Sequence, residues 1–139
     1  MMWIPTLHDI VIDGIRAPGI PNQECIMLRA VTSSNLALVG VLLGLKDGAE
    51  TWPYRNFVYW FGNKVVSEGT TLNLFTGRGQ DSSHPVGNGA WNINLFWGQE
   101  STLFNNPDVV PMAFRIGQAA QGPMVIRPWY GAALPSPSL

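Results

Sequence analysis

The chain has 139 residues, of which 46% are hydrophobic and only 12% are charged, and its formal net charge is −1. This length favours a single domain with a substantial core, and the lack of a basic face argues against a nucleic-acid partner. The charged fraction is about half of the ~25% usual in globular proteins, so much of the surface must be neutral. Because a neutral surface is poorly protected against association, we expect a partner to cover part of it.

The cysteine count and the hydropathy pattern bear on the compartment. Cys25 is the only cysteine, which excludes an intrachain disulfide, and its place in a strand-like run predicts a buried, inert thiol. The N-terminal residues have neither the basic region nor the cleavage site of a signal peptide. The longest apolar run, Leu36–Leu45, has ten residues, whereas about 20 are needed to span a bilayer. We therefore expect a soluble protein without a membrane segment or export signal, in the cytoplasm or in a virion.

Eight segments show the two-residue alternation or the apolar runs typical of β-strands, and none shows helical periodicity. Turn residues such as Asp47-Gly48 and Gly77-Arg78-Gly79 separate them. This spacing predicts an all-β protein, an immunoglobulin-like antiparallel β-sandwich of about eight strands. The predicted strands are Leu7–Asp13, Glu24–Arg29, Leu36–Leu45, Asn56–Phe61, Thr71–Thr76, Asn92–Trp97, Val109–Ile116 and Met124–Arg127.

The sequence also predicts how several of these strands are covered and which one lies at a sheet edge. Leu36–Leu45 is apolar at almost every position, which is typical of a strand covered on both faces, and its two glycines argue against a helix. Asn56–Phe61 has aromatic side chains on both faces, which predicts that its outer side is covered too. Pro111 indicates that its strand lies at a sheet edge. We expect an inner face formed by Val110, Met112, Phe114 and Ile116, and a core that contains Ile26, Leu28, Leu38, Leu72, Leu74, Leu95 and Trp97.

Short motifs in the central part of the chain resemble a known family in their order. Leu74–Gly79 reads LFTGRG, Leu95–Gly98 reads LFWG and Leu103–Asn106 reads LFNN before an aspartate. Earlier in the chain, Asn22–Glu24 opens a strand and Lys46–Gly48 forms a turn after the next one. In this order the motifs resemble the lamin-tail domain.

The resemblance spans roughly Leu7 to Ile116 and implies a compact immunoglobulin-like β-sandwich that is not itself catalytic. The chain departs from the family at Val41, where many members carry Trp, and in the Ser82–Trp91 segment, which looks like an inserted loop. We expect a sandwich domain over residues 1–127 and a proline-rich C-terminal arm over residues 128–139.

Candidate catalytic residues are few. Asp81, Ser82, Ser83 and His84 suggest a small hydrolase, but members of a catalytic triad normally come from separate elements, so a solvated turn explains them more simply. The Gly77-Arg78-Gly79 turn lacks the following helix and the lysine of a phosphate-binding loop. The two histidines and the dispersed acids form no metal-binding pattern. We therefore predict no enzymatic activity, no cofactor and no metal.

Aromatic and basic side chains supply the candidate contacts with a partner. Trp60, Trp91 and Trp97 fill or cap a sandwich in the simplest interpretation. Trp91 follows a glycine-rich turn and is the best candidate for exposure, so it and the neighbouring asparagines offer an alternative function as a glycan-binding module. Arg78, displayed on its turn, is a candidate partner for a carboxylate of another protein.

The C-terminal arm carries the remaining candidates. Residues 128–139 contain three prolines, which favour an extended chain, and no charged side chain. A disordered tail is usually charged and poor in aromatics, whereas this one contains Trp129 and Tyr130. We expect both to anchor the arm on a neighbouring subunit or another protein; the alternative is that the arm folds back on its own domain. The sequence thus predicts a structural or interaction module that docks on a protein partner or forms a homo-oligomer, with a capsid or tail of a virion as a suitable setting.

Overall fold

The computed structural model describes residues 6–124, and within that range it contains ten β-strands and no helix. The strands are β1 (Ile10–Arg16), β2 (Cys25–Ala30), β3 (Ser34–Asn35), β4 (Val39–Asp47), β5 (Glu50–Trp60), β6 (Val65–Val66), β7 (Thr71–Phe75), β8 (Ser82–Gly87), β9 (Ala90–Phe96) and β10 (Val109–Arg115). The prediction of an all-β protein is confirmed. Within this range, therefore, no helix is available that could cross a lipid bilayer.

Two main sheets enclose the core. One has five strands in the order β1-β2-β7-β9-β8, the other has three in the order β10-β4-β5, and β3 pairs with β6 in a small third sheet. Inward side chains alternate along these strands as period-two patterning requires, and both main sheets contribute to the core. The arrangement is the predicted sandwich. Its largest fully buried apolar side chains are Ile10, Ile26, Leu28, Leu36, Leu43, Phe61, Leu72, Leu74 and Leu95.

The five-stranded sheet is not purely antiparallel as predicted. β9 runs parallel to β7, with Thr71 opposite Asn92 and Leu74 opposite Leu95. The cause is β8, which lies at the edge and pairs antiparallel with β9, so that β9 returns in the direction of β7. The Ser82–Trp91 segment, predicted as a loop, therefore contains a strand. All six residues of β8 are exposed, and a strand without a buried face lacks the apolar alternation that reveals strands in a sequence.

Leu38 was predicted in the core and is instead 53% exposed. It lies in a turn before β4, closed by a hydrogen bond of 3.0 Å from the Val39 N–H to the Leu36 carbonyl oxygen, so it takes no part in the alternation of the strand. Trp97 is half-buried and packs against the core. The other predicted core residues are buried: Ile26, Leu28, Leu72, Leu74 and Leu95.

Some predicted strands have different limits in the structure. The first begins at Ile10 and continues to Arg16, beyond the predicted end. Met124 belongs to no strand, and the rest of the predicted Met124–Arg127 strand lies outside the described residues. The two-residue strands β3 and β6 were not predicted, because two residues are too few to show a period.

The three-stranded sheet bears out the edge position predicted for Pro111, whereas only one face of β4 packs against the core. β4 is the central strand and is largely buried, and β10, which contains Pro111, is an edge strand. The hairpin between β4 and β5 turns at Gly48, whose φ of 65° lies in the left-handed region that favours glycine. The expectation of a covered outer side fails for β5, since Val58 and Trp60 are exposed among the described residues.

A buried carboxylate joins three loops at one end of the sandwich. Glu24 Oε1 accepts hydrogen bonds from the Thr76 hydroxyl and the Leu103 N–H, both at 2.7 Å. Its Oε2 accepts bonds from the N–H groups of Gly19 at 2.7 Å and Phe104 at 3.0 Å. These four donors replace water around the charge, which makes its burial tolerable. Three of the motifs that carry the family resemblance thus meet at one carboxylate.

An ion pair joins the two sheets at their β1 and β10 side. Arg115 Nη1 lies 2.7 Å from Asp9 Oδ2, and Arg115 Nη2 donates to the Asn35 carbonyl oxygen at 3.1 Å. Burial alone would raise the pKa of Asp9, but hydrogen bonds from Arg115 and Ser34 and the charge of Arg115 leave this pKa below its ordinary value. Asp9 therefore stabilises the fold as a carboxylate.

Acid is expected to remove this contribution. Because the pKa of Asp9 is lowered in the folded state, its stabilisation is present above the unfolded value of about 4 and is lost as the pH falls through the lower folded pKa. We expect Asp9→Asn to lower the free energy of unfolding by about 1 kcal/mol at pH 7. Urea denaturation at pH 7 and at a series of values below about pH 4 measures this: the difference between the variant and the natural protein should narrow as the pH falls. A constant difference across that range would contradict the assignment.

Candidate functional site

The outer side of the three-stranded sheet is apolar along all three strands. Val39, Val41 and Leu43 of β4 point into the core, so Gly40, Leu42 and Gly44 between them face outward. In the strand register, the outward-facing residues Gly40 and Leu42 of β4 each pair with one residue of β5 and one of β10. One row contains Trp60, Gly40 and Phe114; the next contains Val58, Leu42 and Met112. We call the five side chains of these rows the apolar face: Leu42, Val58, Trp60, Met112 and Phe114.

The two glycines of β4 make room for the larger side chains of this face. A Cβ atom on Gly40 would lie 2.8 Å from Cζ of Phe114 and 2.8 Å from the Tyr59 carbonyl oxygen. A Cβ atom on Gly44 would lie 2.6 Å from Sδ of Met112. Side chains from β10 therefore lie across the central strand. The Trp60 and Phe114 rings meet edge to face over Gly40, with centroids 5.3 Å apart.

Sequence analysis placed Met112 and Phe114 on the inner side, and the structure corrects this. Val109 is buried and Ala113 packs against the core, so the opposite set of β10 residues faces inward. Ala113 pairs with Val41, whose larger side chain already fills the core at that level. The large residues of β10 thus occupy the outer side, above the glycines.

Trp60 is 49% exposed, and none of the five side chains of the apolar face is charged. Beyond Phe114 and Gly40 the same two strands lead to Ile116 and Leu38, which are also exposed and are joined by a backbone hydrogen bond of 2.9 Å. Single exposed apolar residues are ordinary on protein surfaces, whereas a contiguous set marks an interaction site. In the apolar face, Val58 and Trp60 are exposed, and the adjoining Leu42, Met112 and Phe114 are half-buried.

Trp91, the predicted exposed aromatic, is 43% exposed and lies in a groove at the open side of the sandwich. The groove runs between β9 and β6 and has a cavity volume of about 460 Å³. We call it the Trp91 groove; its walls include Trp91, Ile93, Val65, Val66, Ser67 and Ser83.

A second cleft of about 320 Å³ continues the groove along β9 towards Leu95. Ile93, Val65 and Ser83 line both spaces, so the two form one depression. The depression exists because β8 extends the five-stranded sheet beyond the smaller sheet and leaves the inner side of β9 partly uncovered. The only charged side chains lining either space, among the described residues, are Lys64 and Asp81 in the second cleft.

The other predicted partner-binding residues have different surroundings. Arg78 is exposed, and its Nη2 lies 2.9 Å from Oε1 of Glu100 in the same chain. Its guanidinium is therefore already paired, at the mouth of a polar cleft of about 490 Å³; its contact with a partner carboxylate stays a prediction. Trp129 and Tyr130 lie outside the described residues.

The asparagines proposed for glycan binding do not share a face with Trp91. Asn92 Oδ1 accepts hydrogen bonds from the Thr71 hydroxyl at 2.7 Å and the Asn73 amide at 2.9 Å, on the outer side of the five-stranded sheet. The Asn73 amide also donates to Asn94 Oδ1 at 3.1 Å. Trp91, next to Asn92 in the strand, points to the other side, towards the groove. The aromatic and amide groups of that alternative are thus separated by the sheet.

The residues considered for hydrolysis each contact a different residue of β9. Asp81 Oδ1 accepts the Phe96 N–H at 3.2 Å, and Ser82 Oγ accepts the Asn94 amide at 3.2 Å. Ser83 and His84 are neighbours on β8 that pair with different residues of β9. Among residues 6–124, no group of three or more His, Cys, Asp or Glu side chains is arranged to hold a metal ion.

Two ionisable groups inside the sandwich are held in their neutral forms. Cys25 is fully buried, as predicted, and burial raises the pKa of its thiol despite the nearby Arg16. Burial and the negative charge of Asp81 raise the pKa of Tyr59 to about 12. Neither group is an activated nucleophile at neutral pH.

No protein-family model, characterised protein or solved structure matches this chain.

Proposed function

We propose that this protein is a non-enzymatic interaction module that docks on another protein, or on further copies of itself, through the apolar face. The observation that carries the proposal is the exposure of Trp60 in contact with Phe114, within a continuous apolar sheet surface. Tryptophan is enriched among the residues that dominate binding energy in protein interfaces. The face is also preorganised, because strand pairing and ring packing fix its side chains before a partner arrives.

The composition supports the same function. Only 12% of the residues are charged, and a neutral surface with exposed aromatics favours association. The resemblance to the lamin-tail domain supports a non-catalytic module, and the meeting of three of its motifs at Glu24 is in keeping with it. A virion, in which such a module decorates a capsid or tail, is the assembly that we propose.

The test is association of the full chain after a single change in the apolar face. Trp60→Glu places a charge within the proposed interface, and we expect the dissociation constant of the assembly to rise about tenfold or more. Because Trp60 is half-exposed in the free protein, the free energy of unfolding should change by less than about 1 kcal/mol. Analytical ultracentrifugation over a concentration series, and of the complex isolated from the natural source, measures the association.

Trp52→Glu is the matched control. Trp52 lies on the same strand, is 47% exposed and pairs with Leu45, whose side chain packs against the core rather than on the outer face. Its replacement should leave the dissociation constant within about twofold, a change below half a kcal/mol. Equal effects of the two replacements, or no effect of Trp60→Glu, would contradict docking through the apolar face.

A further inference from the structure

The Trp91 groove is a second apolar surface, separate from the apolar face. Trp91 and Val65 are exposed at its walls, and the hydroxyls of Ser67 and Ser83 lie beside them. β8 borders the groove as a sheet edge that no described strand covers. Such a groove suits a neutral, proline-containing peptide, because the Trp91 ring can pack on its apolar side chains and the Ser83 hydroxyl can donate to one of its carbonyl oxygens. The Ser67 hydroxyl already donates to the Gly89 carbonyl oxygen.

The last described part of the chain is not held to its own domain by hydrogen bonds. β10 ends at Arg115, and the Ile116 N–H still bonds to Leu38. The next eight residues, 117–124, are all exposed, and none has a hydrogen bond to another described residue. An extended chain advances about 3.3 Å per residue, so the 12 residues that separate Ile116 from Trp129 can span about 40 Å. This length is sufficient to bring Trp129 to a neighbouring molecule.

The exit of the arm and the groove lie at the same end of the sandwich. Ser33 lines the Trp91 groove, and it also lines the cleft that contains Leu38 and Arg115 at the end of β10. In a two-fold pair of molecules that meet at this end, each arm therefore has to cross only the symmetry axis to reach the groove of the other.

The chemistry of the last fifteen residues matches the groove. Residues 125–139 contain Arg127 as their only charged side chain, with the apolar anchors Trp129, Tyr130, Leu134 and Leu139. The groove is uncharged around Trp91 and has its ionic groups, Lys64 and Asp81, only in the continuing cleft. We infer that residues 125–139 of one copy of this chain occupy the Trp91 groove of a second copy. The inference goes beyond the proposed function, because it uses a surface separate from the apolar face and names the protein itself as a partner.

Disulfide trapping between full-length copies tests this placement. One copy carries Val65→Cys at the wall of the groove and the other, with a different tag, carries Tyr130→Cys. Cys25 remains in place because it is fully buried. On mild oxidation we expect at least fivefold more linked heterodimer than from a control pair in which Ile20→Cys, on an exposed loop outside the groove, replaces Val65→Cys. Trp91→Ala in the first copy should reduce the linked product to the control level.

The outcomes separate this inference from the proposed function. A yield equal to that of the Ile20→Cys control would overturn it. So would a Val65→Cys/Tyr130→Cys double variant that closes within one chain at low concentration, which would place the arm on its own domain. If either result occurs while Trp60→Glu still weakens association, the arm inference fails and the proposed function stands. If the link forms and survives Trp60→Glu, the arm inference holds and docking of further copies through the apolar face is not needed for it.

Discussion

Replacing Glu24 with alanine is expected to lower the free energy of unfolding by about 3–5 kcal/mol, because the change leaves buried donors without an acceptor. Those donors are the N–H groups of Gly19, Leu103 and Phe104 and the hydroxyl of Thr76, which come from three separate loops. Domains of this size are stable by about 5–15 kcal/mol, so this is a large part of the total. Denaturation in urea measures the loss.

Two glutamine variants separate the buried charge from the side-chain volume. Glu24→Gln keeps the shape, but its amide nitrogen must face a backbone N–H in either orientation, so we expect a loss of about 2 kcal/mol or more. Glu100→Gln removes an exposed carboxylate that pairs with Arg78 at the surface, and it should cost no more than about 0.5 kcal/mol. Equal stabilities of the two variants would mean that Glu24 does not hold the three loops together.

Leu95→Ala is expected to destabilise the protein by about 2–5 kcal/mol. Leu95 is buried in β9 and pairs with Leu74, another core residue, in the parallel part of the sheet. Truncation removes buried apolar surface and leaves a cavity that the surrounding strands can fill only in part. The midpoint of urea denaturation should fall with little change in its slope.

Leu38→Ala is the matched control for this prediction, since the chemistry of the substitution is the same. Leu38 is exposed in the turn before β4, so its truncation should cost no more than about 0.5 kcal/mol. A large loss at Leu38 with a small loss at Leu95 would indicate that the residues of these two segments face the opposite way.

Sequence patterns predicted the fold where a strand has one buried and one exposed face. The alternation of Leu72 and Leu74 in β7 follows directly from such an arrangement, and both are buried. β8 could not be found this way, because it has no buried face. The parallel pairing of β9 with β7 could not be found either, since it depends on the position of β8 at the sheet edge. Leu38 was misplaced because a turn interrupts the apolar run before the strand begins.

Sequence analysis predicted less of the candidate site than of the fold. Trp60 was interpreted as filling or capping the sandwich, on a strand whose outer side was expected to be covered, and it is instead 49% exposed. Its exposure depends on what covers the sheet, which a local sequence pattern does not contain. Met112 and Phe114 were placed on the inner side because both registers of β10 contain apolar residues. The residues of β4 determine which set of β10 side chains faces inward. Val41 fills the core opposite Ala113, while Gly40 leaves space for Phe114 on the outside. The glycines gave a usable signal that was interpreted only as evidence against a helix.

The central claim is that another protein covers the apolar face, and oxidative footprinting of Trp60 against Trp52 tests it most directly. The two tryptophans lie on one strand and have nearly equal exposure in the free chain, 49% and 47%, so they should be modified at similar rates when the protein is dissociated. In the assembled state, we expect the modification of Trp60 to slow at least fivefold while that of Trp52 stays within about twofold. The reason is that the partner would bury Trp60 in the core of the interface, where the reagent does not reach it, and would leave Trp52 exposed. Equal modification of Trp60 in the dissociated and assembled states would contradict the account.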